Sequence, residues 1–155
     1  MTASAMLAEL GIDLPSVPTP AGAYIPAKVH GDLVFTAGQL PLVAGVLAAT
    51  GKVGEGRDLV DPADAREYAR LCVLNAIAAA AAAVGDVDRI TGVLKVTGFV
   101  ASVPAFTGQP GVINGASELL GHVFGDAGRH ARSAVGVPVL PLDSPVEVEV
   151  IFTLA

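Results

Sequence analysis

The stretch from Asp61 to Gly85 limits the fold more than any other part of the chain. Asp61 can cap free N–H groups, Pro62 suits a first helical turn, and Asp64 complements the positive end of the helix dipole. Gly85 supplies a stop, so a helix is expected from there back to Asp61. Its second half, Leu71 to Val84, is almost wholly apolar and mostly alanine, interrupted by Asn75. Alanine contributes helix propensity rather than strong partitioning into lipid, and the run is too short to cross a bilayer. The reading is a helix packed into a protein core, with Cys72 as a buried packing residue.

The flanking segments supply sheet. Tyr24 to His30 and Asp32 to Gln39 read as two short strands turning at Gly31, with Val34, Phe35 and Thr36 giving β-branched and aromatic character. Gly45 to Val60 reads as a glycine-rich loop, Arg89 to Val100 as a strand, and Pro104 to Gly111 as a breaker-rich connection. Asn114 to Phe124, ended by Gly125, reads as a second helix. Ala131 to Val139 and Val146 to Leu154 read as strands about a PLDSP turn, the last with clear alternation in VEVEVIF. The expected order is β-β-α-β-α-β-β, an α+β fold with two helices on one face of a mixed sheet. Residues 1–22, broken by LPSVPTPAG, read as an N-terminal arm, mobile or docked, before a domain over 23–155. With 52% hydrophobic residues and no segment left to cover the other sheet face, oligomerisation through that face is expected.

A net charge of −6 repels phosphate backbones and anionic lipid, so neither nucleic acid nor a membrane is the expected partner. The first residues lack a basic stretch ahead of an apolar one, and a single cysteine suits a reducing compartment, so a cytoplasmic location is expected. His30, His122 and His130 are scattered and no CxxC pair occurs, so no metal site is expected. GKVGEG lacks the ending of a phosphate loop, and Ser133 is not in a GxSxG elbow.

Arg132 stands out, because Ala131, Ser133, Ala134, Val135 and Gly136 around it are small or apolar. By alternation it shares a face with Ala134 and Gly136, and its planar fork matches a carboxylate. An ion pair with a core or interface acid is the alternative.

The segment ARSAVGVPVLPLDSPVEVEV resembles the C-terminal signature of the RidA/YjgF family of reactive-intermediate deaminases, in which an Arg-Ser pair precedes a Leu-Pro turn and a V-E-[IV]-E strand. GDLVFTAGQLPL is similar to that family's second strand, Tyr24 falls where its N-terminal tyrosine lies, and Asn114 where its second-helix asparagine lies. The resemblance runs from about Tyr24 onward. It implies a chorismate-mutase-like fold, a homotrimer with pockets at the subunit interfaces, and no metal or organic cofactor. It also implies hydrolysis of enamines and imines derived from amino acids to 2-oxo acids and ammonia. Arg132 would hold the substrate carboxylate, Glu147 would hold or deprotonate a water, and Tyr24 would cover the ligand. Gly38 would give it room and a backbone N–H, Asn114 would order polar groups, and Ala134 would line the site. Ala134 and Ala37 stand where many relatives carry Cys and Ser or Thr, which makes the implied pocket more apolar.

A trimer that binds a small carboxylate without turning it over is the second reading, and needs Arg132 but not Glu147. RNA cleavage, a third, fits poorly with an acidic chain lacking a basic aromatic patch. If Leu140 pairs with Val146 across the PLDSP turn, Glu147 lies opposite Val139, seven residues and roughly 23 Å from Arg132. The two residues would then meet only across a subunit boundary.

Overall fold

The computed structural model describes residues Met1–Ala155. A short helix α1 (Ala3–Glu9) leads through an irregular segment to strands β1 (Ala27–His30) and β2 (Leu33–Thr36). A small hairpin, β3 (Leu42–Val43) with β4 (Val46–Leu47), precedes the long helix α2 (Pro62–Val84) and strand β5 (Ile90–Ala101). Helix α3 (Gln109–Phe124) and strands β6 (Ala131–Val137) and β7 (Val146–Leu154) complete the chain.

The main sheet runs β1-β2-β7-β5-β6, antiparallel except for the parallel pair β5–β6. This is the expected α+β fold, with α2 and α3 on one face. Val34, Val96, Val100, Val146, Val148, Val150 and Phe152 project from that face and are buried beneath the helices. Helix α2 keeps both expected ends: the Asp61 carboxylate accepts from the Ala63 N–H at 2.8 Å, and Gly85 takes the left-handed conformation at φ +87°. Its alanines pack on the sheet, which is why a helix with so little amphipathic contrast is stable here.

Three readings change. The β6–β7 hairpin does not form: β6 lies at the sheet edge and β7 sits on the far side of β5, between β5 and β2. Residues 138–145, with prolines at 138, 141 and 145, carry the chain over the end of β5 instead of turning it back. The stiff prolines favour such a crossing over a tight turn. Helix α3 starts at Gln109, because Pro110 opens it rather than breaking the chain before it. The glycine-rich segment is also less open than a plain loop, since Val53 bridges to both Val60 and Ser102 and is fully buried.

The N-terminal arm is docked. Ala3 and Leu7 join the main core, and the Asp88 carboxylate accepts from the Ser4 N–H at 2.8 Å and the Ser4 hydroxyl at 2.7 Å. Those two bonds hold the Asp88 carboxyl below its ordinary range.

One irregularity positions the site. Leu33, Val34 and Phe35 pair with Thr153, Phe152 and Ile151, but the next bridge joins Gln39 to Val148, one residue out of step. The extra residue is a bulge at the end of β2, where the Thr36 side-chain oxygen accepts from the Val150 N–H at 3.0 Å in place of a backbone carbonyl.

Candidate active site

Two clusters form, and the predicted residues divide between them. The first lies on the sheet face away from the helices. Glu147 pairs through Phe99 with Val135, so its side chain points to that open face. Tyr24, Ala37, Gly38 and Glu147, with Ala21, Leu40, Pro141 and Leu142, line a cavity of about 570 Å³. The bulge delivers Gly38 onto the Glu147 carboxyl: a methyl on Gly38 would lie 2.8 Å from Cδ of Glu147 and closer still to an oxygen. Only glycine leaves that carboxyl its place.

Burial pushes the Glu147 carboxyl above its ordinary range, and repulsion from Glu149 on the same strand adds to the shift. A carboxylate raised in this way is a better proton acceptor at neutral pH than an exposed one. The segment that follows Gly38 is pinned by Asn75, whose side-chain amide donates to the carbonyls of Leu40 at 3.0 Å and Leu42 at 3.1 Å. Asn75 is fully buried in α2. In the sequence it reads only as an interruption of the apolar run; its two buried bonds show it fixing one wall of the pocket.

The second cluster surrounds Arg132 on the helix face. Arg132 is level with Val96 and Val150, and its neighbour on the same face, Ala134, packs partly buried against the core. The guanidinium donates from Nη1 to the Asn114 Oδ1 at 2.8 Å and to the Ser117 Oγ at 3.2 Å, and from Nη2 to the Pro110 carbonyl at 3.3 Å. Positions 110, 114 and 117 form one stripe of α3, which is how a single helix face holds the whole group. All three acceptors are neutral. The chain's ion pairs join Lys52 to Asp143, Arg66 to Glu118 and Arg129 to Asp126, and none includes Arg132. The alternative of an intrachain ion pair therefore does not hold. Three of the five guanidinium N–H groups are occupied, and the Nε–H with one Nη2–H remains to meet an anion.

Arg132 and Glu147 of one chain do not share a cavity. Arg132 is level with Val150, three residues along from Glu147 and two strands across, roughly 14 Å by strand geometry, and the side chains leave opposite faces. The regular hairpin behind the 23 Å expectation is absent, and it is the sheet itself that separates the pair. Cys72 is wholly buried, its thiol pushed well up by that burial, and takes no part in either cluster. No group of His, Cys, Asp and Glu side chains is arranged to hold a metal ion.

The family model described as YjgF/chorismate mutase-like, putative endoribonuclease matches residues 4–154. Protein TCP17 of Trypanosoma cruzi is 42% identical over 97% of this chain and 93% of its own length. "Putative reactive intermediate deaminase TdcF" of Escherichia coli is 31% identical over 90% of this chain and 93% of its own length. The crystal structure of TdcF with bound serine superposes with a TM-score of 0.65 at 26% identity, covering 90% of this chain and 94% of that one. The Agrobacterium tumefaciens protein Atu1372, of unknown function, superposes more closely, with a TM-score of 0.88 at 45% identity over 99% of this chain and 92% of that one. A family model that spans nearly the whole sequence, the relatives and the shared architecture agree: the chain belongs to the YjgF/chorismate mutase-like family.

Proposed function

We propose that this protein hydrolyses enamine and imine intermediates derived from amino acids to 2-oxo acids and ammonia, at sites shared between the subunits of a homotrimer. The observation that carries this reading is the Arg132 guanidinium, held in place by neutral oxygens alone with two donors to spare. In a chain with 15 acidic side chains, an arginine without an acidic partner keeps its charge for a ligand. The TdcF structure with bound serine, an amino acid with a carboxylate, supports that ligand class.

Arg132 of one subunit holds the substrate carboxylate. Glu147 of its neighbour accepts a proton from a water as the water oxygen bonds to the electrophilic imine carbon. That proton then passes to the nitrogen of the carbinolamine. As the C–N bond breaks Glu147 accepts the hydroxyl proton, so that a C=O group forms and ammonia leaves, taking up this last proton as ammonium. Because an iminium carbon is already electrophilic, orientation and charge complementarity suffice, and the scheme uses no metal or organic cofactor. Tyr24 covers the ligand and the Gly38 backbone borders it.

The alternative is a trimer that binds a small carboxylate without turning it over. The largely apolar lining beside Glu147, with Ala37 among it, favours this second reading, since few groups there would order a water. Generating 2-aminoacrylate with a dehydratase and following 2-oxo acid release distinguishes the two. Acceleration by this protein is expected; carboxylate binding with no acceleration for any amino-acid-derived imine would establish the binding role instead.

A pH profile tests Glu147. As a base it works ionised, so kcat/KM should rise with pH through the elevated Glu147 value, placing the acid limb above the ordinary glutamate range. Glu149→Gln removes the neighbouring charge that contributes to the elevation, and should move that limb to lower pH while leaving the plateau in place. An unmoved limb would assign it to another group.

A further inference from the structure

We propose that Ser117 and His130 are positioning residues that hold Arg132 in its carboxylate-binding pose through a directed chain of hydrogen bonds, with His130 fixed as the Nδ1–H tautomer. The inference rests on the reading of Arg132 as the carboxylate-binding group.

The direction of the chain follows from its far end. His130 Nδ1 lies 2.7 Å from the Gly128 carbonyl oxygen, which can only accept, so Nδ1 carries the hydrogen. In the neutral ring Nε2 is then a bare acceptor. Nε2 lies 2.9 Å from Ser117 Oγ, so the hydroxyl donates to it. With its only hydrogen spent, Ser117 presents lone pairs alone to Arg132 Nη1, 3.2 Å away. Arg132 can only donate, and each link has the polarity the next one needs.

Without His130 a serine at this place has another choice. Helix serines turn back to bond the carbonyl one turn earlier, and Ser117 in α3 could do so. His130 keeps the hydroxyl facing β6. Both side chains are half-buried, and His130 sits two residues before Arg132 on the approach to the same strand, so the arginine and its support are placed by one backbone segment. Ser117, Arg129, His130 and Arg132 line one open cavity of about 330 Å³ with Gly121 and Gly128, and no carboxylate borders it. The relay therefore fixes Arg132 without cancelling its charge.

The test uses the full-length protein and 2-oxobutanoate as the probe. Ser117→Ala is expected to weaken binding about tenfold and His130→Phe about threefold, as for loss of a hydrogen bond to a charged group and loss of its support. The double variant should be no weaker than Ser117→Ala alone, because both changes cut one chain. In the deaminase assay the loss should fall on KM rather than kcat, since carboxylate binding is made equally in ground and transition states. Nitrogen NMR of the unaltered protein, with the His130 signal assigned through His130→Phe, should show Nδ1 protonated and Nε2 bare at a pH where the ring is neutral. A protonated Nε2 in the neutral ring would overturn the proposal even if a variant failed to fold. So would additive losses, or unchanged binding in Ser117→Ala while Arg132→Lys loses it. Binding that survives Arg132→Lys unchanged would instead overturn the carboxylate reading of Arg132, and this role for the relay with it.

Discussion

Under the proposed function, Arg132→Lys is expected to lower kcat/KM for imine hydrolysis about a hundredfold, mostly through KM, because an ammonium reproduces neither the fork nor the three bonds to α3. Arg132→Ala and Glu147→Gln homotrimers should each be nearly inactive. The sheet makes mixing them informative. The two side chains leave opposite faces of one chain, so under the proposed function a working site takes Arg132 from one subunit and Glu147 from the next. In a randomly exchanged equal mixture, about one interface in four brings an intact Arg132 against an intact Glu147, so about a quarter of native activity should return. Activity that stays lost, with subunit exchange demonstrated by mass and trimers by sedimentation, would place both residues in one chain's site or remove one from the reaction.

The second large effect concerns stability. Gly115, buried in α3, lies where that helix passes α2: a methyl added to it would sit 2.9 Å from the Arg66 carbonyl carbon and closer to the oxygen. Backbone cannot swing aside as a side chain can. Gly115→Ala should cost about 2 to 3 kcal/mol, read as a lower urea midpoint with little change in slope. Gly121→Ala is the control on the same helix, because nothing lies within 4 Å of its added methyl. There the better helix former should stabilise by about 0.5 to 1 kcal/mol. Equal midpoints for the two variants would mean that α2 and α3 do not approach as closely as the structure places them. The Arg66–Glu118 ion pair beside this contact is largely exposed and contributes little by comparison.

Local signals were legible. Asp61, Pro62 and Gly85 marked both ends of α2, and alternation in VEVEVIF marked β7, because caps and side-chain periodicity are written in neighbouring residues. Strand partnership was not. Nothing near Pro141 says that β5 will lie between β6 and β7; that choice is made by the whole sheet burying one face under two helices. The site divides in the same way. Arg132, Asn114, Glu147, Tyr24 and Gly38 carried family motifs, and the structure gathers the first two in one place and the last three in another. Ser117, His130 and Asn75 stand in no motif, and their importance lies in what they touch across 13 to 35 residues. A histidine just before an Ala-Arg-Ser segment was the one available hint, and it was read only against metal binding.

The central position of β7 has a consequence for how the chain is made. Strands β1 and β2 form one piece of sheet and β5 and β6 another, and β7 alone joins them, pairing with β2 on one side and β5 on the other. It is also the last of the five main-sheet strands in chain order, and so is synthesised after the other four. Until it emerges, Val34, Val96 and Val100 have no Val148, Val150 or Phe152 between them, and the alanine face of α2 lacks the middle of its floor. The nascent polypeptide can build helices and two separate sheet fragments during translation, but it can close its core only after synthesis has passed residue 154. The interval before β7 docks is therefore when apolar surface stands open to chaperones and to neighbouring chains.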